Sequence, residues 1–132
     1  MSRHTDRIHV FELTFQTDFQ GEKDMKALLQ EYLDENLKEK DNRKYIEEEF
    51  SGLLDKLPEI DPVIEKYAEN WTLERLDKVA LAVLRLSLYE ILYTDIPNKV
   101  AANEAVEICK EYGEEKTPAF VNGILGKVLN RI

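Results

Sequence analysis

The chain is poor in the residues that build most active sites. Its single cysteine, Cys109, excludes a disulfide framework and any zinc site made of cysteines. Two histidines, His4 and His9, are five residues apart, off the same-face spacing of a metal pair on a helix, and leave little for acid–base chemistry. Five glycines and four prolines are too few for a loop-rich β protein or a disordered chain. No apolar run is long enough to span a membrane, and the N-terminus shows no signal-peptide core. Enzyme signatures are missing too: no H-E-x-x-H, G-x-S-x-G or C-x-x-C occurs. No catalytic residue, metal or cofactor is expected. At 132 residues the chain reads as one cytoplasmic domain, 1–132.

What is present is helical periodicity and acid. The net charge of -9 argues against nucleic acid at first sight. Its distribution is uneven: residues 1–15 sum to zero, 16–72 carry 16 acids against 8 bases, and 73–132 carry 9 against 8. From Lys116 onward there are three bases (Lys116, Lys127, Arg131) and no acid, so a fold that joins the chain ends can present a mildly basic face.

Apolar residues recur at three- and four-residue spacing along the chain. Phe11, Phe15 and Phe19 mark a first helix, with Gly21 as its stop. Met25 to Leu37 marks a second, and the charged run Lys38–Lys44 reads as a turn. A third helix carries Ile46, Phe50, Leu53 and Leu57 and is expected to stop at Pro58. Asp61-Pro62 then starts a short helix over 62–69. Thr72 is read as the cap of the next helix, whose residues 79–93 are apolar nearly all round and so predict a buried central helix. Asn98 and Thr117 are read as the caps of the last two helices, with Gly113 between them. The expectation is all-α, about seven helices in a bundle. Gly123 and Gly126 read as small residues that admit a neighbouring helix. Arg85, within the buried helix, requires an anionic partner, with Glu104 or Glu107 as candidates. Cys109 reads as core.

Three blocks carry a family resemblance: the helix around Leu84-Arg85, Tyr89-Glu90; Pro97-Asn98-Lys99-Val100-Ala101-Ala102-Asn103-Glu104-Ala105-Val106-Glu107; and Phe120-Val121-Asn122-Gly123-Ile124-Leu125. Their order and separations resemble the NusB family of bacterial transcription antitermination factors. The resemblance implies a fold of two packed helical bundles and a non-enzymatic role. It also implies a partner, the small-subunit ribosomal protein that doubles as NusE. Together the two bind single-stranded boxA RNA within the RNA polymerase antitermination complex and promote read-through of ribosomal RNA operons.

Family members begin with an arginine-rich stretch. Arg3 and Arg7 keep it here, while His4, Asp6 and Glu12 depart from it, which thins the basic cluster and removes phosphate contacts. Arg3, His4 and Arg7, with Lys116, Thr117, Phe120 and Lys127 on the last helix, are the expected RNA-binding residues. Phe15, Glu74, Lys78 and Val79 are the expected partner-binding residues, an apolar anchor with a charged rim. Two alternatives stand beside this reading: a protein-only assembly module, and the NusB-like N-terminal domain of an rRNA cytosine methyltransferase. Monomer and homodimer both remain open.

Overall fold

The longest apolar-all-round segment organises the molecule. In the computed structural model, which describes residues 3–20, 24–37, 42–69 and 71–131, that segment is α4 (Lys78–Tyr93). Eleven of its sixteen residues are buried, and it packs against α1 (Arg3–Gln20), α3 (Arg43–Tyr67), α5 (Asn98–Tyr112) and α6 (Thr117–Leu129). It is thus the shared spine of two helical bundles. One contains α1 and α3, with α2 (Met25–Asn36) against α1; the other contains α5 and α6. No strand occurs among the described residues. Leu81, Leu84, Leu86 and Leu88 are fully buried on this spine. Truncating one to alanine costs about 2–5 kcal/mol. The one buried hydroxyl of α4, on Ser87, donates back to the Val83 carbonyl at 2.8 Å.

Among the described residues there are six helices plus one 3-10 turn (Leu73–Arg75), because two expected helices are one. α3 runs straight through Pro58 and Pro62. Both prolines face solvent, and the buried stripe continues past them through Ile46, Phe50, Leu53, Ile60 and Ile64. Burial of that stripe outweighs the backbone bonds the prolines cannot donate. Gly52 lets α4 come close, since a Cβ there would strike the Tyr89 hydroxyl.

Three caps also differ. Asp77, not Thr72, caps α4, its carboxylate accepting from the Ala80 amide at 3.0 Å. Neither Asn98 nor Thr117 caps with its side chain; both lie inside the first turn of their helices. Just past the end of α3, Glu69 is in the left-handed region (φ 54°), a strained position for a residue with a Cβ, and its carboxylate accepts from Lys127 Nζ at 2.8 Å. The glycines of α6 are a further correction. A Cβ at Gly123 or Gly126 would meet nothing within 4 Å, so among the described residues no helix packs on them. Gly21 and residues 38–41 of the expected turn lie outside the described residues.

Candidate functional site

The start of α6 is built by a tight turn. Gly113 closes α5, its amide donating to the Cys109 carbonyl at 2.8 Å. A Cβ there would lie 2.7 Å from Thr117 Cβ and 2.9 Å from the Cys109 oxygen, so only glycine fits. The Thr117 hydroxyl accepts from the Glu114 amide at 3.0 Å, and Pro118 sits in the first helical turn, where its missing N–H costs nothing. Thr117 is spent on this turn and is 6 % exposed.

The turn sets Lys116, Thr117 and Phe120 opposite Trp71, Arg75, Leu76 and Ala80 around an open pocket of about 360 Å³. Trp71, half exposed at 50 %, and the partly buried Phe120 supply aromatic surface. Arg75 and Lys116 supply cations, and Asp77 and Glu114 complete the lining. Aromatic surface beside cations suits an unstacked nucleic-acid base with its phosphates on the rim. Sequence reasoning placed Lys116, Thr117 and Phe120 here but missed Trp71 and Arg75. The signal was a lone tryptophan in a polar connection between α3 and α4, outside any apolar stripe.

The other expected RNA residues do not join them. Arg3, 55 % exposed, stacks its guanidinium 3.7 Å from the centre of the Tyr45 ring and pairs with Asp6 at 3.3 Å. His4 faces α5, with Nδ1 at 2.5 Å from Glu104 and Nε2 at 3.3 Å from Glu111. These carboxylates raise its pKa above the ordinary histidine value, the Glu104 hydrogen bond contributing most. Lys127, two turns beyond Phe120, is held by Glu69.

Arg7 is placed in the interior, 4 % exposed. Its Nε–H donates to both oxygens of Glu90, at 3.1 and 3.0 Å. Glu49, also buried, accepts from the Tyr45 hydroxyl at 2.7 Å, and its charge acts on Glu90. Burial first, then the charge of Glu49, pushes the Glu90 carboxyl up to about 8, with Arg7 pulling the other way. Arg7 therefore holds α1 to α4 and presents nothing to a phosphate. Arg85 is likewise paired, but with Asp61 (2.9 and 3.0 Å) and Asp18 (3.5 Å) rather than Glu104 or Glu107.

The expected partner residues fall on two adjoining hollows at the start of α4. Phe15 and Val79 share an apolar groove of about 380 Å³ with Phe11, Glu12, Gln16 and Tyr112. An aromatic ladder crosses it: Phe19 to Phe15 (4.9 Å), Phe15 to Phe11 (6.1 Å) and Phe11 to Tyr112 (5.1 Å). Phe19, 59 % exposed at its end, and Tyr112 were not among the partner-binding residues expected from the sequence. Glu74 and Lys78 line the second hollow with Asp18, Leu73 and Arg85, and Lys78 Nζ lies 2.6 Å from Asp18.

Residues 4–130 match the model of the NusB family. The chain is 41 % identical over 129 residues to the transcription antitermination protein NusB of Thermoanaerobacter sp. strain X514, covering 96 % of this chain and 89 % of that protein. It is 42 % identical over 129 residues to the protein of the same name from Ruminiclostridium cellulolyticum, covering 97 % and 88 %. Among solved structures, T. maritima NusB superimposes with a TM-score of 0.89 at 39 % identity, over 98 % of this chain and 92 % of that one. A chain from a complex of the antitermination factors NusB and NusE with double-stranded RNA gives 0.86 at 27 % identity, over the full length of both.

Proposed function

This chain belongs to the NusB family, and from that premise we propose that it is a non-enzymatic transcription antitermination factor that binds boxA RNA together with NusE. It then promotes read-through of ribosomal RNA operons as part of the RNA polymerase antitermination complex, in the cytoplasm, with residues 1–132 acting as one RNA-binding unit. The observation that supports this most directly is the pocket at the start of α6, where cations and two aromatic rings converge on an otherwise acidic molecule.

In this reading Trp71 and Phe120 stack on one or two bases, each worth about 1–3 kcal/mol. Lys116 and Arg75 take phosphates, and the first-turn amides of α6 add a favourable field. Thr117 shapes the turn beneath them. Arg3 and His4 form a second contact edge at the start of α1, and Lys127 extends the basic strip along α6. Phe15 and Val79 anchor NusE in the aromatic groove, with Glu74 and Lys78 as its charged rim. The protein carries a net charge of -9, so NusE supplies much of the positive charge.

The test is fluorescence anisotropy of a labelled boxA-type single strand against this protein, with and without NusE, across salt. The expected result is binding that needs NusE and prefers boxA over a scrambled strand. Its salt slope corresponds to a few phosphates, about -0.7 each. Trp71 is the only tryptophan, so its emission reports the pocket directly; RNA quenches it. Absence of boxA preference with NusE present, or RNA binding that leaves Trp71 emission unchanged, refutes the assignment.

A further inference from the structure

The start of α1 holds a histidine whose two ring nitrogens both face acids. Nδ1 of His4 is 2.5 Å from Glu104 Oε2, and Nε2 is 3.3 Å from Glu111 Oε1. A neutral imidazole has one N–H and one lone pair, so only the imidazolium donates to both carboxylates. The surrounding charges are otherwise committed. Arg3 is on Tyr45 of α3 and on Asp6. Arg7 is on Glu90 of α4 and reaches Glu104 only at 3.9 Å. Among the described residues, no ion pair of Glu111 other than that with His4 occurs.

We propose that His4 is a proton-controlled element of the RNA face, cancelling one charge of the Glu104–Glu111 edge as imidazolium and leaving that edge repulsive to the RNA backbone once deprotonated. The inference rests on the reading that RNA crosses the start of α1. His4 is one-third exposed and Arg3 beside it is more so, which puts the edge within reach of a phosphate. A one-charge change acts over about 10 Å at 0.1 M salt, so only phosphates near this edge feel it. The neighbouring carboxylates hold the proton above the ordinary pKa of 6.5, which moves the switch from mildly acid toward neutral and alkaline pH.

Reciprocity makes the idea measurable in two ways. The first is affinity for the labelled boxA-type strand with NusE, measured from pH 6 to 9 for the unaltered chain, His4→Arg and His4→Gln. Affinity of the unaltered chain is expected to fall about fivefold as His4 titrates, the low end of ordinary site–site coupling. His4→Arg stays at the tight level and His4→Gln at the weak level, with neither following that profile. The second is an NMR titration of the unaltered chain, where His9 is the only other histidine. A fivefold coupling requires saturating RNA with NusE to raise the His4 midpoint by about 0.7 pH units. This measurement needs no variant, so a folding defect cannot obscure it. A His4→Gln profile that copies the unaltered chain, or a midpoint that RNA leaves in place, overturns the role of His4 alone. Failure of the strand to bind at any pH overturns the functional reading as well.

Discussion

Replacing Arg7 by methionine separates an interior role from a surface one. Methionine keeps most of the packing volume and removes the charge. In the folded chain Glu90 is 1 % exposed and Arg7 is the cation hydrogen-bonded to it. Removing one partner of a buried ion pair costs about 3–5 kcal/mol, a large share of the 5–15 kcal/mol that holds an ordinary domain together. The cost depends on pH, with a definite sign. The folded pKa of Glu90 is raised to about 8 from an unfolded value of 4.5, so the folded state binds more protons. Its contribution to stability is therefore present below 4.5 and is lost as pH rises through about 8. Arg7 opposes that rise, and without it the loss continues to higher pH. At pH 6 Glu90 keeps its proton either way, and Arg7→Met is expected to cost about 2 kcal/mol, mainly a lost hydrogen bond. At pH 9 the unaltered chain has released that proton, while the variant must still hold it or bury an unpaired carboxylate, so a cost of about 3–5 kcal/mol is expected. Adding Glu90→Gln removes the pH dependence. Urea denaturation at the two pH values measures all of this. A cost below 1 kcal/mol at both, or one equal at both, refutes the buried-pair argument and returns Arg7 to the surface.

The remaining predictions are simpler. Gly113→Ala forces its Cβ against Thr117 and the Cys109 carbonyl, with an expected cost of about 1–3 kcal/mol by denaturation, whereas Gly123→Ala, on an open face, stabilises by up to about 1 kcal/mol. Phe15→Ala is expected to weaken NusE binding by at least tenfold in calorimetry, about 1.4 kcal/mol or more, while the chain still melts cooperatively. The buried Cys109 thiol, pushed up to about 12 mainly by burial, is expected to resist a thiol reagent at pH 8 in the folded protein and to react once urea unfolds it.

The parts of the fold legible in one dimension are those set by local pattern. α4 was readable because Val79 to Tyr93 is apolar nearly all round, and Cys109 was readable as core because Ala105, Val106 and Tyr112, three or four residues away along the helix, are apolar. α3 was misread at Pro58 because a local stop signal competes with a stripe whose value lies in tertiary burial of Ile60 and Ile64. Cap assignments at Thr72, Asn98 and Thr117 followed residue type, yet Asp77 held the better geometry and Thr117 bonded backward to Glu114. Charge partners were the least legible. Nothing in the sequence links Arg7 to Glu90 or Arg85 to Asp61, since each pair exists only after two helices cross. The same holds for the pocket: Trp71 and Phe120 lie 49 positions apart and share a wall only once α4 and α6 pack.

The contacts of α1 also govern how the chain is made. Arg7 waits for a residue 83 positions later, and His4 for one 100 positions later. At ordinary rates of translation the ribosome needs about 5–20 s to deliver that length. α1 can meet α2 and α3 early, through Tyr32 and Tyr45, but its partners on α4 and α5 come much later. Meanwhile Phe11, Phe15 and Phe19 stand in water on a nascent amphipathic segment, a surface that chaperones recognise. Closing so long a loop makes the docking of α1 on α4 a late, non-local folding event, and a ribosome stalled before residue 90 carries a chain in which Arg7 has no Glu90 to hold.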